Sequence, residues 1–108
     1  LDLKRDGTRP FVDAARIYAL ELGLPETATV ERLRAAGAVL RWGAREVGAL
    51  SEAFEFILQL RLRRQRVPGT PPNQVAPDEL NELERAFLKE SLRQARRLQD
   101  RLRGRYQL

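Results

Sequence analysis

The stretch LSEAFEFILQLRLRRQ, residues 50–65, constrains the fold more than any other part of the chain. At 3.6 residues per turn, Val47, Leu50, Phe54, Ile57 and Leu58 share one side, which predicts a long helix buried along that side. Arg61 and Gln65 fall near the centre of the same side, where a helix built only for packing would carry Leu or Ala. A guanidinium drawn into a core needs acceptors for its N–H groups, so Arg61 predicts a specific set of polar partners.

A chain of 108 residues with 43% hydrophobic and 32% charged residues suits one globular domain with a single core. No apolar run is long enough to span a bilayer, and the start lacks a signal-peptide layout. The first residue is Leu, Met is absent, and Asp2–Gly7 reads like mid-protein sequence. Residues 1–108 are therefore expected to be a single helical domain, a fragment of a longer multidomain chain. The absence of Cys removes disulfides, thiolate catalysis and zinc-finger spacing, and fits a reducing, cytoplasmic setting. The absence of His removes the commonest neutral-pH base and metal ligand.

Thr8-Arg9-Pro10 predicts a helix start, with Pro near the first helical position. Phe11, Val12, Ala15, Tyr18, Ala19 and Leu22 form its apolar stripe, and Gly23 with Pro25 ends it. Leu1–Gly7 reads as a short entry segment. Thr29 is the expected N-cap of a short second helix, Val30–Ala36, followed by a break around Gly37–Gly43. The third helix should run from about Ala44 to Arg66, and VPGTPPNQVAP, residues 67–77, is the clearest loop. Asn81 and Glu84 form a capping box for a last helix, with Asp78 as an alternative, earlier start, and the helix runs to about Arg103, with Gly104 as its stop. Its inner face is Leu88, Leu92, Ala95, Leu98 and Leu102, extending to Tyr106, with Gln99 at the centre. No strand-like alternation occurs. The expected architecture is all-α: a bundle of four to five helices with a long antiparallel C-terminal pair.

Arg61, Gln65 and Gln99 are expected to be shut between those two long helices, as a ligand-facing cluster or, more simply, as a buried network that fixes register. Asn73 is a further candidate for substrate or phosphate contact or, more simply, is expected to anchor the proline loop with its amide. Arg93, Arg97 and Arg101 recur every four residues along the last helix. The chain carries 18 Arg against 2 Lys for a net charge of +5, and Arg93–Arg105 holds six Arg against one Asp. Such a stripe is a solvated helix face or a contact for anions, either nucleotide phosphates or an acidic protein surface. Nucleic acid is the least favoured partner, because the few aromatic residues fall mostly at apolar positions. Phe56, opposite the apolar face of its helix, with Ile17 and Leu20 off the stripe of the first, predicts contact with another domain or a second copy. Neither a glycine-rich phosphate loop nor paired carboxylates on a strand are present, so no catalytic residue and no metal ligand are assigned.

The succession DLKRDGTRPFVDAARIYAL, TATVERL, LSEAFEFILQLRLRRQ and PPNQVAPDELNELERAFLKESLRQARRLQ resembles the substrate-binding C-terminal domain of bacterial nucleotidyltransferase-like signalling proteins. The resemblance covers nearly the whole chain and includes Arg16, Arg61, Gln65, Asn73 and Gln99. It departs at Arg64, where the family often has His. It implies a helical domain that follows a nucleotidyltransferase-like domain, itself often preceded by cyclic-nucleotide-binding and CBS modules, in an arrangement similar to protein-PII uridylyltransferase. The fragment would be a non-catalytic, substrate-binding accessory domain, with Arg16, Arg61 and the last-helix arginines contacting the acceptor or phosphates. It would need no cofactor of its own, while Mg2+ and nucleotide would belong to the full-length protein. The rival reading is a helical module for homodimerisation or interdomain signalling.

Overall fold

The computed structural model describes residues 1–71 and 73–107, and the helical periodicities resolve into four α-helices. These are α1 (Arg9–Leu22), α2 (Thr29–Leu40), α3 (Ala44–Gln65) and α4 (Glu82–Tyr106), with a 3-10 turn at Pro77–Glu79. Helices α3 and α4 run antiparallel, so that Glu46 at the start of α3 pairs with Arg101 late in α4, and Arg63 near the end of α3 pairs with Glu84. At 1.5 Å per residue the 25 residues of α4 span about 37 Å, which sets the long dimension of 42 Å. Helix α1 packs on α2 and α4.

The entry segment is part of the core. Asp2 Oδ1 accepts hydrogen bonds from the backbone N–H groups of Lys4 and Arg5, each at 2.9 Å, and this starts a π-helical turn over Lys4–Thr8. Those two bonds hold the Asp2 carboxyl below its ordinary pKa, the Arg5 amide first. The turn places Leu3 at 0% exposure within the central cluster. Gly7 follows because the chain passes directly over Ile57: a Cβ there would lie 2.7 Å from Ile57 Cγ2. Around Leu3 the core includes Phe11 against Phe54, ring centroids 5.7 Å apart. Tyr18 stands edge-on to Trp42 at 5.2 Å and tilted against Tyr106 at 5.8 Å. Burial pushes the Tyr18 phenol up.

Several boundaries differ from the sequence expectation, each for a packing reason. Helix α2 begins one residue before Val30, with Ala28 rather than Thr29 as its cap, and continues to Leu40. Gly37, expected in a break, is inside it, pressed so close to Val47 and Trp42 that a Cβ would lie 2.7 Å from Val47 Cγ2. The break falls at Arg41–Gly43, where Arg41 takes the left-handed conformation at φ 58°. Helix α4 is capped as expected, with Glu84 N–H donating to Asn81 Oδ1 at 2.8 Å, but it runs through Gly104 to Tyr106. The contact of Tyr106 with Tyr18 supplies a reason for the extra turn. The inward stripe of α4 is Leu88, Ser91, Ala95, Leu98 and Leu102, so Ser91 replaces the expected Leu92, which is half-buried.

Gly48 differs from Gly7 and Gly37. It lies inside α3 and nothing approaches within 4 Å of a Cβ built there. Gly48→Ala is expected to stabilise the chain by about 0.5–1 kcal/mol, because Ala loses less backbone freedom in a helix. A thermal melt checks this; a lowered midpoint would contradict the open geometry at that site.

Candidate functional site: a basic cleft and a separate arginine hub

The candidate site residues lie in several places. Arg61, half-buried near the end of α3, donates from Nε to Asn73 Oδ1 at 2.9 Å and from Nη1 to Thr8 Oγ1 at 2.8 Å. Asn73 in turn accepts the Leu3 N–H at its backbone carbonyl, 2.7 Å away, and Val75 N–H donates to the Leu1 carbonyl at 3.2 Å. The hub thus ties α3, the entry turn and the proline loop together. The inward position of Arg61 agrees with its periodicity, but the guanidinium is satisfied by fixed protein groups rather than aimed at a cavity.

Gln65 is a correction. It is exposed as the last residue of α3, where the helix has run past its partner helix's buried stripe. Gln99 is half-buried, but it faces α1 beside Arg9, Pro10 and Asp13 rather than lying between α3 and α4. Phe56 is also not opposite the packed side: it is half-buried against Phe87 of α4, centroids 5.8 Å apart. Arg64, the departure from the family pattern, reaches Glu79 in the 3-10 turn. That bond is the main cause holding the Glu79 carboxyl below its ordinary pKa.

Among the last-helix arginines, Arg93 is spent locally. It grips both Glu90 oxygens at 2.9 Å, and Gln94 Nε2 adds a third bond at 2.9 Å. Arg93 first, then Gln94, hold the Glu90 carboxyl down at about 2. Arg97 and Arg101 instead line a cleft of about 220 Å³ between the start of α3 and the second half of α4, with Arg45, Glu46, Ala49 and Gln94 among its walls. Arg101 is fixed there by Glu46 and by the Trp42 ring, whose centroid is 4.7 Å from the guanidinium carbon. Among the described residues, Arg45 and Arg97 have no carboxylate within salt-bridge distance. Arg16 is exposed on α1 and does not line the cleft.

The cleft also lies at the positive end of α3. Its N-cap is Gly43, which supplies no side-chain acceptor to the first-turn amides. Placing Arg45 in that first turn opposes the helix dipole, a local cost offset only in part by Glu46. An anion in the cleft would meet Arg45, Arg97 and the dipole with favourable sign. The charge pattern of α4 signalled Arg97 and Arg101 in the sequence. Arg45 and Gln94 were missed, because their relevance depends on which residues α4 brings opposite α3. No group of three or more His, Cys, Asp or Glu able to hold a metal occurs among the described residues. No helix of the described residues is long and apolar enough to cross a membrane.

The family model described as "Putative nucleotidyltransferase substrate binding domain" matches residues 1–106. No curated protein and no solved structure matches the chain.

Proposed function

The chain belongs to this family of nucleotidyltransferase substrate-binding domains, and from that premise we propose that it is a non-catalytic accessory domain presenting substrate to a nucleotidyltransferase-like domain of the same polypeptide. Nucleotide, Mg2+ and the reacting carboxylates belong to that partner domain. This domain supplies position: it holds an anionic group of the acceptor protein or of the nucleotide against a rigid helical wall. The observation that carries the reading is the convergence of Arg45 and Arg97, neither with an ion-pair partner among the described residues, on one cleft at the N-terminus of α3. Arg61 and Asn73 hold the scaffold that places α3, and Arg16, Gln65, Arg93 and Gln99 lie outside the cleft.

Titration of the chain with ATP or UTP in Mg2+, followed by calorimetry, tests this. Two guanidinium contacts at an open cleft are expected to give a Kd of order 1 mM, about 4 kcal/mol of binding. Arg45→Ala with Arg97→Ala should weaken it by about tenfold, and added salt should do the same. Binding that the double variant leaves unchanged would remove the cleft from the proposal. Turnover by the chain alone would contradict the division of labour.

A further inference from the structure

The outer side of the α3–α4 pair carries a continuous groove whose chemistry is ordered along its length. From the basic cleft it passes between Glu52 of α3 and Glu90 of α4, then reaches an aromatic step made by Phe56 and Phe87. It ends at Arg63 and Arg66 near the C-terminus of α3. The residues recur at the alternating spacings of three and four that a coiled-coil seam uses: Glu52, Phe56, Gln59 and Arg63 on α3 with Arg66 at its C-cap, and Leu83, Phe87 and Glu90 on α4. Phe87, which lines the groove, is 53% exposed, and Leu83, one turn before it on α4, is 66% exposed. The whole chain agrees: its accessible surface of 6869 Å² exceeds the roughly 6,100 Å² expected of a monomer this size.

We propose that this groove is an isologous interface, in which the α3–α4 pairs of two copies of this chain pack antiparallel as a four-helix bundle about a two-fold axis near Phe56 and Phe87. The order of charges along the groove sets the register. Glu52 stands four residues before Phe56, and Arg63 and Arg66 stand seven and ten after it. A two-fold axis midway between Glu52 and the two arginines crosses α3 at about residue 58, beside the aromatic step. That operation lays the apolar centre of one copy on the other. It sets Glu52 against Arg63 and Arg66 of the second copy, twice over. Glu52 and Arg66 have no ion-pair partner among the described residues of their own chain. The basic clefts adjoin the overlap at Ala49 and Gln94, one at each end of the pair.

The stretch from Ala49 to the α3 C-cap Arg66, 18 residues, gives a seam about 25 Å long and roughly 20 Å wide. Roughly 1,000 Å² of total burial follows, at the lower edge of specific interfaces, so the association should be concentration-dependent. The proposal is independent of the cleft's ligand.

Sedimentation equilibrium of the 108-residue chain tests it, with circular dichroism reporting helix content. Dimer is expected at about 100 µM and monomer at a few µM, the range such an area supports. Phe87→Glu, at an exposed position, should abolish the dimer and keep the helices. Glu52→Arg and Arg66→Glu should each weaken self-association by about tenfold, because each puts like charges together, while an equimolar mixture of the two should form a heterodimer. A wild-type chain that stays monomeric at 100 µM overturns the proposal. So does a dimer indifferent to Phe87→Glu, or charge variants that do not complement each other.

Discussion

Leu3→Ala is expected to destabilise the chain by about 3 kcal/mol, within the 2–5 kcal/mol usual for removing a buried Leu side chain. Leu3 is fully buried, and its backbone is held on both sides, by Asn73 through the N–H and by Thr8, whose N–H donates to the Leu3 carbonyl at 2.9 Å. The site therefore cannot collapse cheaply around the missing methyls, so a cavity remains. A melting midpoint roughly 15 °C lower is the corresponding reading for a domain of this size. Leu1→Ala is the control, since Leu1 is 44% exposed and its loss should stay within about 0.5 kcal/mol. Equal effects from the two substitutions would mean that the entry segment is a tail and not a structural member.

Arg61→Met is expected to cost about 3 kcal/mol through a different route. The volume is roughly kept, but Asn73 Oδ1 and the Thr8 hydroxyl lose their charged donor together, and each such bond is worth about 1.5–3 kcal/mol with incomplete additivity. Arg61→Lys should recover about half, because one ammonium keeps the charge but lacks the planar fork that reaches Thr8 and Asn73 at once. The distinguishing reading is local. Amide exchange at Leu3 and Val75, which hydrogen-bond across the entry segment and the loop, should speed up more than exchange at Phe11 or Leu98. Uniform loss of protection, or none, would deny the hub its linking role.

The helices were legible where one face of one helix decides. The Asn81–Glu84 box, the long α3 and the inward Arg61 follow from local spacing alone, and α1 starts and ends where Pro10 and Gly23 indicate. What escaped depends on the neighbour. Gly37 reads as a breaker until Val47 and Trp42 are set against it, when it becomes a close-approach residue within a helix. Gln65 has the same helical phase as Arg61, yet one more turn carries it beyond the packed surface into solvent. The entry segment is seven residues of mixed charge, and only Asp2, by holding two amides at once, turns it into structure. Periodicity also could not show that Arg45, sixteen residues from Arg61 along α3, shares a cleft with Arg97 while Arg61 does not.

The chain has one tryptophan, and it sits under the Arg101 guanidinium at the edge of the basic cleft. An indole beneath a cation is sensitive to any change in where that cation lies. Whatever draws Arg101 off the ring, or alters its grip on Glu46, will change the emission of Trp42 alone. The domain thus contains its own optical reporter of cleft occupancy, readable without a label in the intact polypeptide wherever no second indole intrudes.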